Sequence, residues 1–202
     1  MTDTRREFDD LFFSLYLPVM VVVVVVVYAL VAFVLLRRRD RPSPKREAKV
    51  KEGLYAAGLA TIAAVLVGFT FRAETRVDAV AERAALEIDV TAFQWGWRFA
   101  YPGGKTVVGT DRTLPVLVVP AGETVRFTLV SRDVIHAFFV PELRFKRDAF
   151  PHRPTRFDLV FDEEGSFPGS CAEFCGLRHA DMRFGVRVVP RARFAAWLRE
   201  DA

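Results

Sequence analysis

Residues 171–182 read CAEFCGLRHADM, and His136 in DVIHAFFVP stands well upstream of them. Together these residues offer two thiols, two imidazoles and a thioether, and Cys171 and Cys175 are the only two cysteines in the chain. Thiolate and thioether are soft donors, so a Cys, His and Met combination selects copper over the hard cations that prefer carboxylates. A mononuclear blue-copper centre needs one cysteine, two histidines and a weak axial methionine, which leaves the second cysteine without a role. Two thiolates therefore point to two coppers. Cys171 and Cys175 would each bridge both ions, with His136 ending one side, His179 the other, Met182 giving a long axial contact and a backbone group completing the set.

Other chemistries stay open at this point. Closely spaced cysteines in an oxidising compartment often pair as a disulfide, which leaves His179 and Met182 unexplained. Cys171, Cys175, His179 and His136 would also make a closed tetrahedral zinc site, with Met182 idle. A Cys-His hydrolase needs one activated thiol with a base and an orienting group, and a second cysteine four residues on speaks for ligation instead.

The elements that must position these residues read as short strands. Leu86 to Tyr101 alternates around FQWGWRF, and Phe93, Trp95, Trp97 and Phe99 would share one face of a regular strand. Val107–Gly109, Pro115–Val119, Thr124–Val130, Ile135–Val140, Thr155–Phe161 and Phe184–Val189 are further β-branched or aromatic runs, bounded by turn residues such as Pro120 and Gly122. Strands at this spacing imply an antiparallel sandwich or barrel. The pattern predicts a helix in 191–202, with Phe194, Trp197 and Leu198 on one side.

The apolar residues are concentrated near the N-terminus. Leu11–Leu36 is 26 residues without a charge, including seven consecutive valines at 21–27, and Leu54–Phe71 adds 18 more. A hydrocarbon core of about 30 Å takes about 20 helical residues, so both segments are expected to span a bilayer as helices. The first is too long for a signal-peptide core and ends in arginines instead of a small-residue cleavage site, so it is read as retained. Between Arg37 and Lys51 lie eight cations against Asp40 and Glu47. The expected basic loop, 37–53, is then cytoplasmic, and both termini and the metal-binding part lie on the periplasmic or extracellular side of a plasma membrane. Residues 72–202 hold 19 basic and 18 acidic groups, so the net charge of +4 belongs mainly to the orienting loop and implies no nucleic acid partner. The organisation expected is a two-helix membrane hairpin over 1–71, a linker over 72–85, a metal domain over 86–190 and a C-terminal helix.

CAEFCGLRHADM, DVIHAFFVPELRFKRDAFP and QWGWRF together resemble subunit II of haem-copper cytochrome c oxidase, over about residues 86–190. The resemblance implies a mainly β, cupredoxin-like Greek-key β-barrel holding the dinuclear copper centre called CuA. It implies His136, Cys171, Cys175, His179 and Met182 as side-chain ligands, Glu173 as a carbonyl ligand, and the Glu173 carboxylate at a magnesium ion on the subunit I boundary. It implies electron arrival from cytochrome c at Trp95 and delivery to haem in subunit I, where oxygen is reduced, with other oxidase subunits as partners. Glu52 is similar to a glutamate at one proton entrance of the family. The sequence departs from the pattern at Gly96, where a bulky aromatic is common, and at Arg144 and His152, where glycines are common. Arg98, Arg132, Arg144 and Arg147 point to a donor less basic than a lysine-rich cytochrome c, one held in the membrane, or another small redox protein. His152 has no evident ligand partner. No Cys-x-x-Cys-His haem motif is present. A quinol oxidase subunit would lack the copper ligands, a copper carrier would expose an under-coordinated site, and a nitrous oxide reductase would need a large second domain.

Overall fold

The structure is a computed structural model and describes residues 9–36, 45–77, 81 and 83–200. It divides into two compact units separated between Val77 and Asp78. In the first unit a π-helical turn, Phe12–Tyr16, leads into helix α1, Leu17–Leu36, and helix α2 covers Lys45–Val77. The windows Asp9–Phe33 and Val50–Arg72 are each long and apolar enough to cross a membrane, and their residues are not buried within the protein. The valine run is helical although β-branched residues favour strands, because a segment that meets lipid must close its hydrogen bonds within itself. Thr70 donates its hydroxyl to the Leu66 carbonyl at 2.9 Å, which leaves the same oxygen to accept from Tyr16. Helix α2 is longer than the apolar stretch at both ends. Residues from Lys45 that were expected in the basic loop are helical, as their Lys, Arg, Glu and Ala content favours. Residues 37–44 of that loop and 78–80 of the expected linker lie outside the described residues.

The second unit packs two five-stranded sheets face to face. One has the order β3-β2-β1-β5-β8, from Leu86–Phe93 (β1), Gly96–Ala100 (β2), Thr106–Thr110 (β3), Thr124–Ser131 (β5) and Thr155–Val160 (β8). The other has the order β4-β10-β9-β6-β7, from Val116–Pro120 (β4), His136–Val140 (β6), Phe145–Ala149 (β7), Gly165–Cys171 (β9) and Arg183–Val189 (β10). The expectation of purely antiparallel pairing is corrected at two places, because β1 pairs parallel with β5 and β10 parallel with β4. Strand periodicity carries no information on direction, and crossing between sheets returns the chain in parallel.

Between the sheets lies an aromatic core. Trp97, Phe99, Phe127, Phe138, Phe157 and Phe184 are all essentially inaccessible, and the Phe138 and Phe184 rings stack at 4.7 Å. Buried aromatics of this size contribute about 1.5–3 kcal/mol each through removal of apolar area from water. The Tyr101 hydroxyl stitches β2 to β4 by donating to the Val118 carbonyl at 3.0 Å and accepting from the Val118 N–H at 2.8 Å. Its burial pushes the phenol pKa well above the ordinary value. Helix α3, Arg191–Arg199, closes the chain with Phe194 and Trp197 packed against Tyr101.

Candidate metal centre

His136 begins β6, a strand enclosed by β9 and β7, and is fully buried. Cys171 ends β9, where it faces Phe138 of β6 across the ladder. Backbone hydrogen bonds close the neck of the following loop, from Cys171 N–H to Met182 O at 2.9 Å and from Ala172 N–H to Ala137 O at 3.2 Å. The residues between, Ala172 to Asp181, therefore form a loop fixed at its base to the two strands that carry His136 and Cys171. Inside it, His179–Asp181 form a 3-10 turn, with His179 N–H bonded to Gly176 O at 3.1 Å.

This backbone brings all the expected donors together. The Cys171 and Cys175 sulfurs are 3.8 Å apart and unbonded. His136 Nδ1 lies 3.8 Å from the Cys171 sulfur, and His179 Nδ1 lies 3.5 Å from the Cys175 sulfur. The Met182 sulfur is 3.8 Å from Cys175, and the Glu173 carbonyl oxygen is 3.2 Å from Cys171. His136, Cys171 and Cys175 place ligand atoms within 4.8 Å of one another, while His179 joins from the Cys175 side outside that set. Both cysteines and Met182 are buried and His179 is half-buried.

Asp133 was not expected at the site, yet it holds the His136 ring. Its Oδ1 sits 2.8 Å from His136 Nε2, and it also accepts N–H groups of Gln94 and Val134 at 2.7 Å each. A carboxylate at Nε2 keeps the proton there and turns the Nδ1 lone pair toward Cys171, the arrangement in which histidine ligates a metal. Burial opposes the charge on Asp133, but these donors hold its pKa below the ordinary carboxylate value. For Cys171, burial is likewise outweighed by His136 and the Ala137 N–H, and its thiol pKa falls to about 7. Burial and the neighbouring Cys171 charge push Cys175 up to about 12. Two thiolates side by side without a cation repel each other, so this pair is built to be neutralised by positive charge.

Trp95 leaves the alternation expected of it. A turn at Gln94–Trp95 ends β1 and starts β2 at Gly96, so Trp97 and Phe99 stay in the core while Trp95 is half-buried at the corner. Gly96 permits that corner, because a Cβ there would meet the Gly109 carbonyl at 2.2 Å. Trp95 Nε1 and Gln94 Nε2 both donate to the Cys175 carbonyl, at 3.1 and 2.8 Å. Opposite them, Gly176 has φ +112°, and a Cβ there would press on Gln94 at 3.1 Å and Trp95 at 3.3 Å. Asp111, whose N–H bonds to Trp95 O at 2.9 Å, forms an ion pair with Arg178 of the metal loop. The Glu173 carboxylate is bridged to Lys146 at 3.0 Å, and His152 is exposed in a turn.

A family profile described as cytochrome C oxidase subunit II, periplasmic domain, matches residues 102–189. The probable cytochrome c oxidase subunit 2 of Streptomyces coelicolor is 32% identical over 213 residues, covering 84% of this chain and 67% of that protein. The chain belongs to the cytochrome c oxidase subunit II family. Cytochrome c oxidase subunit 2 of Corynebacterium glutamicum is 33% identical over 193 residues, 68% of this chain and 54% of that one, so the chain spans about half the length of such subunit II relatives. The crystal structure of the periplasmic domain of subunit II of cytochrome oxidase (CoxB) of Bradyrhizobium japonicum superposes with a TM-score of 0.53 at 33% identity, covering 59% of this chain and 94% of that domain. The two sheets thus form the cupredoxin-like fold of subunit II, carried here with two helices that can each cross a membrane, and the chain is membrane-anchored.

Proposed function

We propose that this chain is the electron-transfer subunit of an aerobic terminal oxidase and that its buried thiol pair holds the dinuclear copper centre. The observation that carries the reading is the placement of the two imidazoles, one beside each sulfur, with His179 outside the cluster formed by the other three donors. One tetrahedral ion has its ligand atoms within the sum of two bonds, at most about 4.6 Å. A zinc site taking all four residues would need His179 inside that limit. Two ions sharing both thiolates would take one imidazole each on either side of the sulfur pair, and the approach of His136 and His179 to different sulfurs supports that reading.

On this reading His136, Cys171, Cys175, His179 and Met182 hold the copper pair through side chains and Glu173 through its carbonyl. When bound, the pair would supply a single-electron relay between donor and haem. The protein's part is to hold the donors still: Asp133 fixes the His136 ring, and Gln94 and Trp95 fix the Cys175 carbonyl, which lowers the rearrangement that accompanies each electron. Trp95, packed on the ligand loop at the domain corner, is the proposed point of electron arrival from cytochrome c or a similar donor. The electron would then pass to haem in subunit I, the proposed place of oxygen reduction. The Glu173 carboxylate is offered to magnesium at that boundary, in competition with the Lys146 ammonium.

Copper titrated into the full-length chain should saturate at two ions per chain. Asp133→Asn should leave that number unchanged and weaken affinity by about 10- to 100-fold, the usual effect of removing a partner of a ligating histidine. Saturation at one ion per chain contradicts the proposal.

A further inference from the structure

Among its described residues the second unit exposes six large hydrophobic side chains, and four of them belong to the two loops that carry the candidate ligands: Val134 (38%), Ile135 (42%), Phe174 (80%) and Leu177 (92%). Apolar exposure gathered in this way marks a surface that meets another molecule. These residues share one end of the domain. Val134 and Ile135 run from Asp133 to His136, Phe174 lies against the His179 ring at 5.8 Å, and Leu177 follows Gly176, which touches Trp95.

Arginines without an ion-pair partner among the described residues stand around this platform. Arg132 donates its N–H to Ala92 O beside the Trp95 corner, and Arg112 follows Asp111, whose N–H bonds to Trp95 O. Arg98 stands three residues from Trp95 on β2. All three side chains are exposed and none forms an ion pair among the described residues. Of the nearby carboxylates, Asp111 is paired with Arg178 and Glu173 with Lys146, while Asp133 accepts from the His136 ring and Asp181 has no ion-pair partner among the described residues, so the three arginines outnumber the two remaining acids. Apolar centre and cationic rim together give a polarised docking surface.

We propose that this face docks a redox protein whose electron-exchange edge is ringed by carboxylates, with Leu177 and Phe174 against its apolar centre and Arg112 and Arg132 on the acidic rim. The proposal rests on the electron-transfer reading and names the class of donor. The arginines would act chiefly on encounter, raising association at low salt and losing effect as screening shortens from about 30 Å at 0.01 M to about 8 Å at 0.15 M.

The test uses the copper-loaded full chain in uncharged detergent and two probes with the same haem: a lysine-rich cytochrome c, and that cytochrome with its lysines succinylated to carboxylates. The succinylated form should bind at least about ten-fold more tightly at low salt, its affinity should fall as salt rises, and Arg112→Glu with Arg132→Glu should reverse the preference. Tighter binding of the lysine-rich form, no binding of either, or a preference unmoved by the charge reversals overturns the proposal. Copper content and the paramagnetic resonance spectrum of the same preparation report separately on the electron-transfer reading, which survives any of those binding outcomes if two coppers are present.

Discussion

At the residue scale, the two cysteines are chemically unequal before any metal arrives. Cys171 has His136 at its sulfur and a thiol pKa lowered to about 7, whereas burial and the Cys171 charge raise Cys175 to about 12. Reactivity follows the thiolate, so it rises with pH through the folded pKa of each group. In the copper-free chain, iodoacetamide should label one cysteine with a pH midpoint near 7 and the second only in strong alkali, and Cys171→Ser should remove the first phase. A single phase near pH 9 for both would contradict this asymmetry. The ligand types were legible in the sequence because thiol, imidazole and thioether name their own chemistry. Asp133 was not. Its position three residues before His136 is a weak signal, and its role depends on a turn that brings Gln94 and Val134 N–H groups to the same carboxylate. The Asp111–Arg178 ion pair was hidden for the same reason, since only the fold brings the β3–β4 turn to the metal loop.

At the element scale, the edge strand β7 is bracketed by two residues in a conformation that favours glycine. Arg144 has φ 48° and His152 φ 58°, and the resemblance read from the sequence implies glycine at both. Left-handed backbone costs a side-chain-bearing residue about 1–2 kcal/mol, partly offset by the greater freedom glycine has when unfolded. His152→Gly should stabilise the chain by about 0.5–1 kcal/mol in denaturant unfolding, and destabilisation would contradict this. Strands β7 and β9 escaped the sequence reading for a related reason. FKRDA is mostly charged and GSFPGSC is rich in glycine, serine and proline, so neither carries strand propensity. Pairing decides both: β9 lies between β6 and β10, and Gly169 gives up its side chain so that the Phe184 ring can lie where a Cβ would sit, 2.3 Å away. The tryptophan segment reads as one alternating run in which Gly96 marks where irregularity is easiest, and the chain turns there, between β1 and β2.

At the scale of the whole molecule, function depends on which side of the membrane each unit faces. The two apolar helices were plain in the sequence, while their ends were not, since charged helix formers extend α2 back to Lys45. Orientation rests on the eight cations between Arg37 and Lys51. A periplasm-active reporter fused after Ala202 should therefore be active, and one inserted after Pro42 should be silent; the reverse pattern would put the metal domain on the wrong side for an external donor. On the proposed reading the two sheets serve one end, a pair of cysteine sulfurs held beside two imidazoles. The most direct test is the paramagnetic resonance spectrum of the copper-loaded full chain carrying one unpaired electron. The account predicts hyperfine splitting from two equivalent copper nuclei, lost in Cys171→Ser. Splitting from a single nucleus in the unaltered chain would contradict it.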